Sequence, residues 1–241
     1  MRILVFQHLD IEHPGIFLEF LKEDGVRWDT VELDEGEPIP PLNGYDALWV
    51  MGGPMDVWEE DLHPWLRMEK QAIREAVLER RMPYLGICLG HQLLADALGG
   101  RVGKMARPEV GVMQIEYSEA AAADPVFAGM ASPATCLQWH GAAVLQPPAG
   151  AVVLARSPLC AVQAMRVNEH AYGVQYHLEI TARTVSEWSS VSAYEDALEK
   201  SLGPDASERL AAETLKALPR LNRDARRVYD RFMGLARKRR A

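Results

Sequence analysis

A cysteine flanked by two glycines is the residue of this chain best suited to nucleophilic chemistry. Cys88 stands between Gly86 and Gly90, after a strand-like run and directly before a helical pattern. A nucleophile on such a sharp strand-to-helix turn has the geometry of a nucleophile elbow, here with cysteine in place of serine. The helix N-terminus behind the sulfur would stabilise a thiolate through its dipole and its free N–H groups. The sequence therefore predicts a reactive thiol at position 88.

A cysteine nucleophile needs a base, and the segment ending at residue 179 offers one. His177 and Glu179 follow a strand-like run that starts near residue 171. Residues i and i+2 of an extended segment point to the same side, so Glu179 can accept a hydrogen bond from one ring nitrogen of His177. The other nitrogen would then face Cys88, which is the logic of a Ser-His-Asp triad.

Predicted strands and helices alternate through the first hundred residues and would position these groups. Strands are expected at 3–7, 26–33, 47–51 and in the run into Cys88, and helices at 14–21 and 63–80. This rhythm predicts an α/β fold with a mostly parallel sheet flanked by helices, of the flavodoxin-like type.

The second half of the chain changes from strands to helices. Short strands are expected at 110–117, 135–139, 151–155, 161–167 and 171–177, and helices at 181–200, 206–218 and 221–237. We expect residues 1–182 to form the catalytic domain and residues 183–241 to form a helical extension packed on that domain.

Composition narrows the class of protein. The 241 residues carry a net charge of −8 and are 48% hydrophobic, which is ordinary for a globular protein. Three cysteines without paired spacing argue against a disulfide framework or a zinc site, and favour a reducing cytoplasm. No apolar run has the length of a membrane span, and no nucleic-acid-binding motif is present. Cys136 and Cys160 are expected to be structural.

Charge is uneven along the chain. Residues 219–241 contain nine Lys or Arg and two Asp, whereas the remaining residues carry a net charge of −15. This basic tail could contact the acidic body, a partner or an anionic surface, and a solvated helix face is favoured over nucleic-acid binding.

The other histidines are given structural roles. His91 and His140 are expected to pack or orient residues near the site. His8, His13, His63 and His170 are expected at the surface or in turns.

The segments 86–92 and 172–179 together resemble class I glutamine amidotransferases, and most closely the stand-alone members similar to the glutaminase domain of GMP synthase. The resemblance covers roughly residues 1–182. It implies that Cys88 attacks the side-chain amide of glutamine, that His177 transfers protons and that Glu179 orients His177.

The resemblance also implies a binding site around this triad. Backbone N–H groups of Gly53 and Leu89 would form the oxyanion hole, and Gln92 would contact the substrate glutamine. Gly141 and Ala142 would bind its α-amino and α-carboxylate groups. Family members often carry an acidic residue where this chain has Ala142.

Two other functions are compatible with this sequence, one that uses the same triad and one that does not need it. A γ-glutamyl peptidase or hydrolase would use an identical thioester, and the small, uncharged Ala142 would suit a larger substrate. A catalytically silent regulatory or binding subunit would not need the intact triad.

The expected partners follow from the resemblance. The substrate is glutamine or another γ-glutamyl compound, and the ammonia would pass to a synthetase on a separate chain, because this sequence contains no ATP-binding loop. No metal ion, other cofactor, nucleic acid or membrane is expected, and the oligomeric state is left open.

Overall fold

The computed structural model describes residues 1–240, which form a nine-stranded sheet with seven α-helices. The strands are β1 (Arg2–Gln7), β2 (Arg27–Glu32), β3 (Ala47–Val50), β4 (Tyr84–Ile87), β5 (Arg101–Tyr117), β6 (Ala134–Gln146), β7 (Val152–Arg156), β8 (Ala164–Val167) and β9 (Ala171–Val174). The helices are α1 (Ile16–Glu23), α2 (Trp65–Arg74), α3 (Leu89–Ala97), α4 (Glu119–Ala122), α5 (Thr184–Trp188), α6 (Ser192–Leu202) and α7 (Ala206–Arg240). A π-helical turn, Glu75–Glu79, extends α2, and a short 3₁₀ turn, Leu42–Gly44, precedes β3.

The sheet has a parallel part and an antiparallel part, in the order β2-β1-β3-β4-β9-β8-β7-β5-β6. The pairs from β2 to β9 are all parallel, and the pairs from β9 to β6 are all antiparallel. The prediction of an α/β fold with a largely parallel sheet is therefore confirmed, with an antiparallel region added beyond β9. Strands β5 and β6 are much longer than predicted because they pair with each other over most of their length.

Parallel pairing brings distant parts of the sequence to one edge of the sheet. Strands β1, β3, β4 and β9 are neighbours and run in the same direction, so their carboxyl ends meet. The residues that follow these ends include His8, Gly52, Cys88 and His177. In open α/β sheets this edge is the usual place for a ligand site.

Alternation along β1 explains why helices cover both faces of the parallel part. Ile3 and Val5 belong to a core shared with α1 and α7, whereas Leu4 and Phe6 belong to the core shared with α2 and α3. A strand that is apolar on both faces has to be covered on both, which is the typical state of parallel strands.

The last helix is continuous where the sequence predicted two. α7 runs for 35 residues with Pro219 inside it, although a proline in a helix interior costs about 3 kcal/mol. Its buried stripe, which includes Val228 and Phe232, packs into the main core, and the Tyr229 ring lies 6.1 Å from the ring of Phe17. Packing of this buried stripe outweighs the local tendency of Pro219 to interrupt the helix. The predicted helix 181–200 is in contrast divided into α5 and α6.

The basic tail contacts the acidic body. Arg226 lies 2.6 Å from Glu23, and Arg237 lies 2.6 Å from Asp24, at the end of α1. These pairs are partly exposed, so each adds little to stability. The division of the chain at residue 182 stays a prediction, and residue 241 of the expected extension lies outside the described residues. Within residues 1–240, no helix has both the length and the apolar character needed to cross a membrane.

The tight crossing of α3 over β3 gives a testable prediction. A Cβ at Gly90 would lie 2.1 Å from the carbonyl oxygen of Val50, so Gly90→Ala should lower the free energy of unfolding by about 1–3 kcal/mol, as overpacking does. The control is Gly234→Ala in α7, where a Cβ meets nothing within 4 Å and should add about 0.5–1 kcal/mol. Urea denaturation of both variants measures the difference, and equal effects would contradict the packing.

Candidate active site

Cys88 occupies a strained position between β4 and α3. It is the N-cap residue of α3, with φ 51° and ψ −102°, in a region that residues other than glycine rarely adopt. Its N–H donates to the carbonyl of Val174 at 2.9 Å, which joins the turn to the end of β9. Such strain costs of the order of 1–3 kcal/mol and is typical of functional sites.

His177 lies between Cys88 and Glu179. Its Nδ1 is 2.7 Å from Oε1 of Glu179, and its ring is within hydrogen-bonding reach of the Cys88 thiol. The His177 N–H donates to the carbonyl of Leu137 at 3.0 Å, so the backbone is fixed as well. Trp188 of α5 meets the imidazole edge to face, with ring centroids 4.4 Å apart. The structure thus brings the three predicted residues together in the predicted order.

Burial and the neighbouring charges have opposite effects on the pKa of His177. The ring is 2% exposed, and burial alone would lower its pKa. The charges and hydrogen bonds of Glu179 and Cys88 outweigh burial, so the pKa of His177 lies well above its ordinary value. This arrangement favours an imidazolium beside the sulfur.

A further carboxyl group, Glu12, reaches the same place. It is 3% exposed and accepts a hydrogen bond from the hydroxyl of Tyr194 in α6. Burial raises the pKa of Glu12, and the nearby Glu179 adds to this effect against His177 and Tyr194. Sequence reasoning missed Glu12 because it lies in an irregular segment after β1, remote from both motifs.

Glu12, His177 and Glu179 also form a set of metal-ligand types. Their ligand atoms all lie within 4.8 Å of one another, a grouping that was not predicted from the sequence. The bond between His177 and Glu179 accounts for two of these groups without an ion.

A cavity opens onto the cysteine. Its lining joins the loop after β3, the start of α3, the middle of β6 and the N-terminal half of α6. Among the lining residues are all the predicted oxyanion-hole and substrate-binding residues: Gly53, Leu89, Gln92, Gly141 and Ala142. Among residues 1–240, Asp56 is the one that places a carboxylate on the cavity lining.

Two backbone N–H groups are available beside the sulfur. Within residues 1–240, neither the Gly53 nor the Leu89 N–H has a protein acceptor, whereas the next one, of Gly90, donates to Met51 at 3.1 Å. The two residues are adjacent, because a Cβ at Gly53 would lie 2.9 Å from a Leu89 methyl carbon. A side chain at position 53 would therefore displace this wall of the cavity.

Gln92 is held by protein groups. Its amide nitrogen donates to the Ala142 carbonyl and to Oε1 of Gln175, both at 3.1 Å. Gln175 in turn donates to Sγ of Cys88 at 3.6 Å. Gln175 was missed, although it precedes His177 by two residues, the same spacing that identified Glu179.

His140 and His91 support the walls of the site. Nδ1 of His140 lies 2.9 Å from the Ala142 carbonyl, and its Nε2 lies 3.2 Å from buried Glu109. His91 is fully buried, with Nε2 3.1 Å from the Val162 carbonyl, and burial lowers its pKa to about 4. The expectation that both residues pack or orient is confirmed.

Two of the histidines expected at the surface or in turns, His8 and His170, are fully buried, although His170 does lie in a turn. His170 precedes β9, with Nε2 3.1 Å from the Val77 carbonyl. His8 directly follows β1, and the position of β1 in the sheet could have placed it at the site edge. Cys136 and Cys160 are buried away from the cavity lining, and burial raises the pKa of Cys160 to about 12, as expected of structural thiols.

Comparisons with known proteins show the family to which the chain belongs. The family described as glutamine amidotransferase class-I matches residues 18–187. The chain is 34% identical to the glutamine amidotransferase-like protein YfeJ of Salmonella typhimurium, over 77% of this chain and 78% of the relative. It is 36% identical to a subunit of the glutamine-hydrolysing GMP synthase of Sulfurisphaera tokodaii, over 70% and 85% of the two chains.

Solved structures show the same fold. A glutamine amidotransferase from Thermotoga maritima superimposes with a TM-score of 0.86 at 29% identity, covering 96% of this chain and 97% of that one. A glutamine amidotransferase from Methylobacillus flagellatus gives 0.80 at 29% identity, covering 97% and 94%. The chain thus belongs to the class I glutamine amidotransferases, and it is similar to both YfeJ and the GMP synthase subunits.

The electrostatics of His177 can be tested directly. Because the Glu179 carboxylate raises the pKa of His177, Glu179→Gln should move the titration of this imidazole to lower pH, so that the imidazolium persists over a narrower pH range. NMR titration of ¹⁵N-labelled histidine measures the midpoint. The control is Glu116→Gln, which removes an exposed carboxylate paired with Arg156, and an equal midpoint in both variants would contradict the assigned cause.

Proposed function

We propose that this protein hydrolyses the side-chain amide of glutamine through a γ-glutamyl thioester on Cys88, and that it releases ammonia. The observation that carries the proposal is the contiguous arrangement of Cys88, His177 and Glu179 beside a cavity, in a chain of this family. The roles of the individual residues are part of the proposal.

Acylation begins with attack of the Cys88 thiolate on the amide carbon. The new carbon–sulfur bond forms as the amide π electrons move to oxygen. His177, as an imidazolium, donates its proton to the departing nitrogen, and the carbon–nitrogen bond breaks to release ammonia. Glu179 stabilises the imidazolium and keeps the ring oriented toward the sulfur.

Deacylation reverses the proton movement. His177, now neutral, accepts a proton from water, and the hydroxide adds to the thioester carbon. Collapse of the tetrahedral intermediate breaks the carbon–sulfur bond and releases glutamate. Trp188, packed edge to face on His177, supports this by preventing rotation of the ring between the two steps.

Both tetrahedral intermediates carry charge on oxygen. We propose that the free N–H groups of Gly53 and Leu89 hold this oxyanion. Loss of one such donor typically lowers the rate about 10²–10³-fold. The start of α3, whose dipole is positive at this end, favours the same charge.

The cavity also indicates how the rest of the substrate binds. The family resemblance implies an acidic group at the position of Ala142, which this chain lacks, and Asp56 lies on the lining of the same cavity. Burial, followed by the Glu59 carboxylate, raises the pKa of Asp56, and an ammonium group would relieve this unfavourable environment. We assign the α-amino group of the substrate to Asp56 and to the free amide oxygen of Gln92, which can only accept a hydrogen bond, and its α-carboxylate to the backbone of Gly141 and Ala142.

The released ammonia requires an acceptor. Several relatives are named as subunits of glutamine-hydrolysing GMP synthases, and we propose that this chain likewise supplies ammonia to a synthetase on another chain. The proposed chemistry uses no metal or other cofactor. It requires a reduced thiol, for which the cytoplasm is the proposed location.

The competing function is cleavage of γ-glutamyl peptides or amines by the same thioester. The small residues Ala142, Ala193 and Ala197 on the cavity lining favour this alternative, because they leave room beyond the amide nitrogen. A substrate panel separates the two functions.

The first test of the function compares Cys88→Ala with the unaltered protein on free glutamine and on γ-glutamyl dipeptides. We expect glutamine hydrolysis that falls to the uncatalysed level in Cys88→Ala, because no thioester can form. Cys136→Ala is the matched control, and it should retain activity because that thiol is buried away from the cavity. Ammonia and glutamate release are measured by a coupled assay. Activity in Cys88→Ala would refute the mechanism, and a higher kcat/KM for the dipeptides would favour the alternative function.

Substrate recognition has its own test. Asp56→Asn should raise KM for glutamine about tenfold, with a smaller change in kcat, because a charged hydrogen bond is worth roughly 1.5–3 kcal/mol. Asp61→Asn, which removes an exposed carboxylate of the same loop that pairs with Arg67 outside the cavity lining, is the control. If both variants keep the original KM, the ammonium group binds elsewhere.

A further inference from the structure

We propose that His8, held by Glu69, is a positioning residue that turns the Gly52–Gly53 peptide so that the Gly53 N–H faces the Cys88 cavity. The inference deepens the proposed function and rests on it for its catalytic consequence. The orientation of the peptide can be tested independently of any activity.

His8 is clamped between a backbone carbonyl and a carboxylate. Its Nδ1 lies 2.8 Å from the Gly52 carbonyl oxygen, and its Nε2 lies 2.9 Å from Oε1 of Glu69 on α2. Both side chains are fully buried. The ring also stacks on Trp65, with centroids 5.4 Å apart and planes 15° from parallel. Both ring nitrogens and one face of the imidazole are therefore fixed by neighbouring groups.

The hydrogen-bond partners of His8 determine where its protons lie. A carbonyl oxygen can only accept a hydrogen bond, so Nδ1 of His8 must carry a proton. Nε2 then faces the carboxyl group of Glu69, so that a second proton lies between these two atoms. Burial lowers the pKa of His8, but the charge and hydrogen bond of Glu69 outweigh it and raise the pKa overall. The clamp therefore keeps the donor toward Gly52 at neutral pH.

Peptide geometry transmits this contact to Gly53. The Gly52 carbonyl and the Gly53 N–H belong to one planar trans peptide, in which the two bonds point in opposite directions. A carbonyl drawn toward His8 therefore directs the Gly53 N–H away from His8. Gly53 itself lines the cavity beside Leu89, and its N–H has no acceptor within residues 1–240.

A restraint is needed here because the peptide joins two glycines. Without Cβ atoms on either side, both orientations of the peptide are sterically open. A side chain at either position would have to displace its neighbours: a Cβ at Gly52 would lie 2.5 Å from Glu12 Oε2, and one at Gly53 would lie 3.0 Å from the Cβ of His8. The hydrogen bond from His8 thus selects the orientation that side chains cannot select.

The test replaces His8 by Phe, which keeps the ring and removes both nitrogens. We expect kcat for glutamine to fall about 10–100-fold, with KM within about threefold, because the donor acts on the oxyanion and not on bound substrate. His8→Asn returns a donor near the Nδ1 position and should recover part of kcat. His170→Phe is the control, since His170 is equally buried and bonds a backbone carbonyl remote from the cavity.

Two thiol reagents separate positioning from general damage. A glutamine-like chloromethyl ketone reacts through addition of the Cys88 thiolate to its carbonyl, which forms an oxyanion before chloride leaves. Iodoacetamide is attacked at a saturated carbon, displaces iodide and forms no oxyanion. His8→Phe should slow the ketone about 10–100-fold and iodoacetamide by less than about threefold. Equal slowing of both reagents, or a kcat equal to that of His170→Phe, would overturn the inference.

A crystal structure of His8→Phe distinguishes failure of this inference from failure of the proposed function. We expect the Gly52 carbonyl to rotate and the Gly53 N–H to leave the cavity. An unchanged peptide overturns the inference whatever the activity. If the unaltered protein hydrolyses no γ-glutamyl compound, the proposed function fails. The orientation of the Gly52–Gly53 peptide in the variant still tests whether His8 positions it.

Discussion

Parallel pairing of β1, β3, β4 and β9 is the constraint on which the rest of the site depends. These strands come from widely separated parts of the chain, yet their direction forces their carboxyl ends to the same edge of the sheet. Each end then contributes a different component: a buried histidine after β1, a glycine pair after β3, the cysteine after β4 and the histidine after β9. Since the strands are apolar on both faces and covered by helices, this edge is held rigidly.

Rigidity at the edge allows unfavourable local features to persist. Cys88 adopts a positive φ, and glycines on both sides of it are packed so closely that a Cβ would meet backbone atoms. Two His–Glu pairs, His177 with Glu179 and His8 with Glu69, are buried almost completely. Each pair depends on the structure around it to keep its partners together, because an unpaired buried charge is strongly destabilising. The core of the α/β fold therefore stabilises the conformations on which the proposed reactivity depends.

The helices after residue 182 complete the same site from the other side. Trp188 of α5 packs on His177, and Tyr194 of α6 bonds Glu12 and borders the cavity. α7 then lies across α1, with Tyr229 among the aromatic rings of the main core. These helices therefore contribute to the surroundings of the candidate site, which their amphipathic pattern alone did not indicate.

Local patterns in the sequence were sufficient for the α/β class, the elbow at Cys88 and the pairing of His177 with Glu179, because these features depend on neighbours within a few residues. Local preference was a poor guide where packing opposes it, as at Pro219, which lies inside a continuous helix. It also gave no indication that His8, expected at the surface or in a turn, is fully buried.

What the sequence alone determined is the identity of the reactive groups and the alternation of strands that carries them. Only the tertiary structure decided which remote residues surround those groups: Glu12 beside His177, Asp56 on the cavity lining, and Glu69 behind His8. The reason is physical. Their positions follow from strand order and helix packing, which are long-range properties, and the free energy that keeps them there comes from burial shared by the whole core.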